Sequence, residues 1–370
     1  MRVLILSSST GAGHDSCAYA VKEAFDNHSE FCEVYEVLRF ISKGVATVLT
    51  KGHTAVYRHF PTAFKIGYGH MEKHSAAYSK ASSTLTNKFL SVGAKKLSEY
   101  VKNGGYDTVI CTHPFATIML TAAIFKFDLK VKTAFVATDY TYAPTVSTEG
   151  VDIYFVPDAA ITDAFVKYGI ATEKIVPSGI PVKQMFYTNL PKDEAKTLMG
   201  ISNNNAHLIV MCGSMGCGPI KKVIKNISCR LPQNTEITVV CGTNQRLEKA
   251  LNKKHKLNQN IHIKGFVNNM SELLDSADLY LTKPGGLSVS EARLKNIPMV
   301  FINAVAGCEE HNRRFFVKLG AAVCGDSVDE LSEKCIELLN NADTIRTMSD
   351  ILAKQNKNNA AETIREFLAG

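Results

Sequence analysis

From Arg2 onward the chain alternates short β-branched runs with longer amphipathic stretches. Val3 to Leu6 is followed by a segment that sets Ala18, Val21 and Phe25 on one helical face. Glu33 to Val37 reads as a second strand, and Ser83 to Lys102 as a long helix. Thr108 to Cys111, Thr133 to Val136 and Ile153 to Val156 read as further strands. After Pro181 the alternation restarts. Leu208 to Met211, Ile237 to Val240, Ile261 to Ile263, Leu279 to Leu281 and Met299 to Ile302 are five more strand candidates with helical patterns between them. Thr344 to Leu368 reads as helical throughout. Strands separated by helices predict parallel sheets covered on both faces. Pro181, Pro191 and the run Asn203 to Asn205 put a domain boundary near residues 181–206. The expected architecture is α/β, with two doubly wound domains in tandem. Ligands of such folds bind beyond the carboxyl ends of the strands, so the loops there carry the functional information.

Composition narrows the class without changing this picture. The 370 residues are 45% apolar and 21% charged, which excludes disordered and fibrous chains. The ten cysteines are scattered with no C-x-x-C, so a reduced, cytosolic compartment is expected rather than a disulfide framework. The N-terminus reads as a first strand and not a signal peptide. No apolar run approaches the ~20 residues that a spanning helix needs.

Charge does change the picture. Between Arg39 and Lys102 stand eleven Lys and Arg against two acids, Glu72 and Glu99, a local charge of +9 in a chain of net +7. Tyr57, Phe60, Phe64, Tyr68 and Tyr78 are interleaved there with Lys51, Arg58, Lys65, Lys73 and Lys80. A basic, aromatic strip suits an anionic bilayer, where each cation contributes ~1 kcal/mol, or nucleic acid. It equally suits a solvated helix face with its rings turned inward. No nucleic-acid module accompanies it.

Four loops hold candidate chemistry. Ser9 to His14 follows the first strand and opens a helix, with Gly11 and Gly13 allowing close approach of a ligand. It is neither a P-loop nor a complete dinucleotide fingerprint. His14 is suited to general-base work near neutral pH, or is a hydrogen-bonded helix-start residue. Cys212 to Gly218 is either a phosphate cradle built on Gly213, Ser214, Met215 and Gly216, or a tight packed turn. Lys283, Pro284, Gly285, Gly286, Leu287 and Ser288 form a second such turn. Glu291 follows five residues after Gly286, where a carboxylate can accept both ribose hydroxyls or simply face solvent. In Ala306 to Asn312, the residues Glu309, Glu310 and Asn312 suit sugar hydroxyls or complement a helix dipole.

Taken in order, the opening Gly11-Ala12-Gly13-His14, Thr112-His113-Pro114-Phe115, Ala137-Thr138-Asp139-Tyr140, Ser178 to Val182 and Lys283-Pro284-Gly285-Gly286 resemble glycosyltransferase family 28. The resemblance is nearest to the monogalactosyldiacylglycerol synthases and processive diacylglycerol glucosyltransferases, and it spans nearly the whole chain. It implies a GT-B fold, two Rossmann-like domains facing a central cleft. Residues 1–182 would form the acceptor and membrane-docking domain and 183–355 the UDP-sugar domain, with a final helix at about 356–370 crossing back. It also implies inverting, metal-independent transfer of a hexose from a UDP-sugar to diacylglycerol, with no cofactor. His14 would be the general base, with Gly11, Gly13, His113 and Asp139 on the acceptor side. Gly213 to Gly216 and Lys283 to Leu287 would hold the diphosphate, with Gly242 and Ser288 beside them. Gly265, Phe266, Val267 and Met270 would line the uracil site. Glu291 would bind ribose, and Glu309, Glu310 and Asn312 the donor sugar.

The same resemblance assigns residues 41–80 to an anionic membrane surface and makes the protein peripheral on the inner face of the cell membrane, with no nucleic-acid partner. Replacing Lys51, Arg58 and Lys65 with Glu is then expected to abolish liposome binding. One departure stands out: Gly307-Cys308-Glu309 occurs where family members commonly read Gly-Gln-Glu, so the identity of the donor sugar is left open. A polyprenyl-linked acceptor, a UDP-sugar 2-epimerase and a non-catalytic UDP-sugar sensor are the competing readings. A nicotinamide oxidoreductase is disfavoured by the incomplete fingerprint.

Overall fold

The structure is a computed structural model that describes residues 1–9, 11–42, 44, 89, 91–143, 146, 148–228, 230–302, 307–355 and 358–370. The chain divides into two units: Met1–Gln184, Val305–His311 and Lys357–Gly370 in the first, Met185–Ala304 and Asn312–Asn356 in the second. The basic, aromatic strip lies almost wholly outside the described residues, Lys51, Arg58 and Lys65 included.

In unit 1, β1 (Arg2–Ser7) leads to α1 (Ala12–Asn27) and β2 (Phe31–Glu36). There follow α2 (Ala94–Gly104), β3 (Thr108–Cys111), α3 (Pro114–Phe127), β4 (Lys132–Val136), β5 (Ile153–Val156), α4 (Thr162–Val166) and β6 (Ile175–Pro177). The sheet is parallel throughout, in the order β2-β1-β3-β4-β5-β6. The apolar run of β1 is continuous because both faces are covered. Val3 and Ile5 pack with Val21 and Phe25 of α1, while Leu4 and Leu6 pack with Leu97 of α2 and Met119 of α3.

In unit 2, α5 (Lys192–Met199) precedes β7 (Ala206–Met211), α6 (Ile220–Ile227), β8 (Thr235–Val240), α7 (Gln245–His255) and β9 (Ile261–Lys264). Next come α8 (Met270–Asp275), β10 (Leu279–Thr282), α9 (Gly286–Leu294), β11 (Met299–Phe301), α10 (Cys308–Leu319), β12 (Ala322–Cys324), α11 (Val328–Leu339) and α12 (Ala342–Ala353). This sheet is also parallel, in the order β12-β11-β10-β7-β8-β9. Its core joins Leu208, Val210, Ile237, Val239, Leu279 and Leu281 to Ile220, Ile224, Leu331 and Leu338 of α6 and α11.

Three sequence expectations are corrected. The C-terminal stretch is not one helix: α12 ends at Ala353, and α13 (Ala360–Ala369) starts afresh where the Asn359 carboxamide accepts from Ala361 N and Glu362 N. An Asn in that position satisfies helix-start amides more readily than it continues a helix. α13 belongs to unit 1, where Ile364 and Leu368 join Val21 and Phe25 of α1 in one core. Of the helix expected from Ser83, residues 83–88 lie outside the described residues; Phe89 and Ser91 are helical, but a turn at Val92 and Gly93 interrupts the run before α2 begins at Ala94. A side chain at 93 would stand 2.8 Å from Met119 Sδ. Lastly, β6 and β12, three residues each, escaped the sequence pattern because a run that short carries no readable period.

Buried polar groups anchor unit 2. The Lys295 ammonium, with its side chain fully buried, donates to Asp275 Oδ2 at 2.8 Å and to the Thr188 carbonyl at 2.6 Å. This ties the segment that enters the unit to α8 and α9. His207 is buried in β7. Its Nδ1 faces the Ser276 carbonyl at 3.2 Å and hydroxyl at 3.0 Å, and its Nε2 faces Thr238 Oγ1 at 2.8 Å. A carbonyl only accepts, so Nδ1 carries the proton and Nε2 accepts from threonine. The neutral ring is fully satisfied, and burial lowers its pKa to about 4. Because that folded value lies below the ordinary 6.5, the stabilisation is complete above pH 6.5 and is lost as pH falls toward 4. The loss amounts to about 3 kcal/mol by pH 4. Denaturant unfolding at pH 7, 5.5 and 4.5 should show this slope, and His207→Gln should flatten it. An unchanged slope in the variant would remove His207 as the cause.

Candidate active site

Strand order places the chemistry in each unit. From β1 the chain moves to β2 on one side, and from β3 to β4 on the other, so the topological switch point of unit 1 lies between β1 and β3. A crevice opens beyond the strand ends at such a point. The loop before α1 and the start of α3 flank it. Gly11 is the N-cap of α1 with extended backbone and makes no side-chain cap, leaving the first amides of a 16-residue helix without that partner. Gly13 and His14 lie in the first turn. Ser7 Oγ donates to Asp15 Oδ1 at 2.6 Å and steadies that turn.

The hydrogen bonds of His14 define its chemistry. Nδ1 lies 2.8 Å from the Thr112 carbonyl at the end of β3 and 3.0 Å from Thr138 Oγ1 after β4. The carbonyl can only accept, so Nδ1 carries the proton and the lone pair of the neutral ring resides on Nε2. This tautomer and orientation suit proton abstraction by Nε2. His113 is the opposite tautomer: its Nδ1 accepts from Phe115 N at 3.0 Å, capping α3. It is 7% exposed, and its ring stands edge-on to His14 with centroids 4.4 Å apart. His113 therefore braces His14 and starts α3. Asp139, half-buried, lies next to Thr138, and its main-chain carbonyl accepts from Thr141 N at 2.8 Å. The fold thus gathers Gly11, Gly13, His14 and His113 at one switch point and sets Asp139 on the loop after β4. Thr112 and Thr138, which hold the imidazole, were not among the expected site residues. A carbonyl contact leaves no mark in the sequence, since every residue has one.

In unit 2 the chain leaves β7 toward β8 and β10 toward β11, so the switch point lies between β7 and β10. Both glycine loops flank it. The loop after β7 is locked to the loop after β8. Gly216, at φ 54°, would place a Cβ 2.2 Å from the Cys241 carbonyl oxygen, and Gly242, at φ 56°, one 2.1 Å from that of Ser214. Thr243 N donates to the Ser214 carbonyl at 2.8 Å, and Asn244 Nδ2 to that of Gly216 at 3.0 Å. Gly213 also has positive φ, and Met215 closes the turn through its carbonyl, which accepts from Cys217 Sγ. Across the switch point, Gly285 N donates to the Lys283 carbonyl at 2.8 Å, shaping the turn before α9. Gly286, Leu287 and Ser288 form the first turn of that helix, and half-buried Glu291 follows on it. The starts of α6 and α9 therefore point amides at the same crevice.

The remaining candidates divide. Gly265, Phe266 and Val267 follow the edge strand β9, with Met270 opening α8. Phe266 is 64% exposed and offers an open ring face. Asn312, expected on the donor sugar, is 0% exposed and donates through Nδ2 to the Pro284 carbonyl at 2.9 Å. It braces the 283–286 turn from beneath, because a carboxamide buried there must satisfy itself on the backbone. Glu309 and Glu310 lie in the first turn of α10, and the division between the two units falls within that helix, after His311. No helix among the described residues is long and apolar enough to cross a membrane.

Comparison with known proteins follows the same division. The monogalactosyldiacylglycerol synthase family matches residues 14–182, and the glycosyltransferase family 28 C-terminal domain matches residues 207–364. The processive diacylglycerol beta-glucosyltransferase of Staphylococcus epidermidis is 25% identical over 359 residues, covering 94% of this chain and 87% of that protein. The Acinetobacter baumannii MurG crystal structure superposes with a TM-score of 0.65 at 14% identity, covering 100% of this chain and 99% of that one. The S. aureus MnaA–UDP co-structure gives a TM-score of 0.66 at 12% identity, covering 100% and 96%. The two parallel six-stranded sheets are those of the GT-B fold. With one domain match on the histidine-bearing sheet and the other on the sheet of interlocked glycine loops, the chain belongs to glycosyltransferase family 28.

Proposed function

We propose that the protein transfers a hexose, with inversion, from a UDP-sugar to diacylglycerol or a related membrane lipid. The observation that carries this reading is His14, oriented by the Thr112 carbonyl so that Nε2 is the basic nitrogen. Nε2 takes the proton of the acceptor hydroxyl as its oxygen attacks the anomeric carbon. The bond to UDP breaks on the opposite face, which inverts the centre. Charge developing on the departing diphosphate falls on the amides at the starts of α6 and α9, oriented before the reaction begins. Phe266 offers its exposed ring to the uracil, and Glu291 a carboxylate to the ribose hydroxyls. Transfer is metal-independent on this reading and needs no cofactor.

The acceptor class comes from the first domain's family and from relatives named for diacylglycerol. The +9 segment between Arg39 and Lys102 suits an anionic lipid surface, on the inner face of the cell membrane. The test is product formation by purified protein with diacylglycerol in anionic liposomes, offering UDP-glucose, UDP-galactose and UDP-N-acetylglucosamine separately. A glycolipid from one donor is expected. UDP binding without any glycolipid would reject the lipid acceptor and direct attention to a polyprenyl-linked one.

A further inference from the structure

The loop that carries His14 leaves β1, the strand between β2 and β3, and both neighbours hold it. From β3, Thr112 N donates to the Leu6 carbonyl at 3.1 Å, and the Thr112 carbonyl meets His14 Nδ1. From β2 a carboxylate reaches across. Glu36, the last residue of β2, lies in register with Ser7, the last residue of β1. Its Oε2 accepts from Ser9 N at 2.6 Å, two residues before Gly11 caps α1. Its Oε1 accepts from Leu38 N at 3.3 Å and starts the 3-10 turn Val37–Phe40.

Capping that turn takes only one acceptor oxygen. The shorter bond is the one that leaves the turn for the loop of the base, and a carboxylate binds an amide more strongly than a neutral acceptor does. Two N–H donors on two different oxygens require a group that only accepts, since a carboxamide would turn its NH2 toward one of them. The platform beneath is firmly packed. Val37, Leu38 and Phe40 are buried in the core of unit 1, and the Phe40 ring has its centroid 4.7 Å from that of Tyr35 and 5.5 Å from that of Tyr100.

We infer that Glu36 is a positioning residue for the base: it fixes the path of the chain into α1, and with it the first turn on which His14 stands. The inference rests on the reading of His14 as the base. A loop released at Ser9 would let the imidazole leave the Thr112 carbonyl and lose its aim, while the donor loops belong to the other unit. Misplacement of a reacting group by about 1 Å can cost on the order of 100-fold in rate.

Glu36→Gln is nearly isosteric and keeps one of the two bonds, so the fold should hold. Its kcat should fall by about 10–100-fold, with the KM for UDP-sugar within about twofold of the parent. In a His14→Ala background the same change should cost less than about twofold, because Glu36 acts only through the imidazole. A full loss in that background, as a merely structural role would give, or parental kcat in the single variant, would overturn the inference. The tautomer of His14 reads the contact without turnover. In histidine-labelled protein at about pH 8.5, where imidazoles are neutral, nitrogen-15 ring shifts should report one Nδ1-protonated form of His14 in the parent. In Glu36→Gln they should report a mixture of both tautomers, with His207 of unit 2 unchanged. Identical His14 signals in the two proteins would overturn the inference as well. A chain that forms no glycolipid would refute the proposed reaction, while these spectra, which need neither donor nor lipid, still decide what Glu36 does.

Discussion

Replacing His14 with alanine lowers glycolipid formation by about 10²–10⁴-fold, the range expected for loss of a positioned general base. The affinity for UDP-sugar should stay within about twofold, because His14 lies in unit 1 and the donor loops lie in unit 2. Stability should change little, since the ring is only half-buried and its Nδ1 meets a carbonyl and a hydroxyl. A Thr138→Val variant should cost much less. It removes one partner of Nδ1 while the Thr112 carbonyl still dictates the tautomer. Steady-state kinetics with calorimetry of donor binding separates these effects. Activity of the alanine variant within about threefold of the parent would show that His14 is not the base.

Gly242→Ala should destabilise the protein by about 4 kcal/mol and weaken donor binding with it. Two costs combine. A non-glycine residue at φ 56° is strained, and its Cβ would lie 2.1 Å from the Ser214 carbonyl oxygen and 2.7 Å from its carbon. The backbone must then move, opening the Thr243-to-Ser214 hydrogen bond and shifting the loop that borders the crevice. Gly200→Ala is the comparison, because Gly200 has φ 74° with nothing within 4 Å of its Cβ position. It carries the strain alone, about 1 kcal/mol. Denaturant unfolding of both variants isolates the contribution of the close approach. Equal losses would mean that the two loops do not depend on their interlock.

Much of the fold is legible along the chain because its local signals agree. Runs such as Val3 to Leu6 and Leu208 to Met211 are apolar on both faces, which only a covered parallel strand requires. Glycines directly after strands mark turns where the backbone approaches something closely, and the histidine after Gly13 marks a reactive group at a helix start. The short edge strands β6 and β12 and the break before Asn359 were hidden, since each depends on neighbours or on a single capping side chain.

What the linear pattern determined is therefore the set of parallel strands, the glycine loops that follow them and the candidate base. Strand order was left to the tertiary structure, because pairing is settled by packing between distant segments. That order creates the switch points at β1–β3 and β7–β10 and selects which loops share a crevice. The tertiary structure also gave His14 its tautomer, through a backbone carbonyl 98 residues away that no side-chain pattern encodes. It turned Asn312 into a buried brace beneath the 283–286 turn. Each of these outcomes depends on where a polar group finds its partner once water is excluded, and that is decided only when the sheets and helices have closed around it.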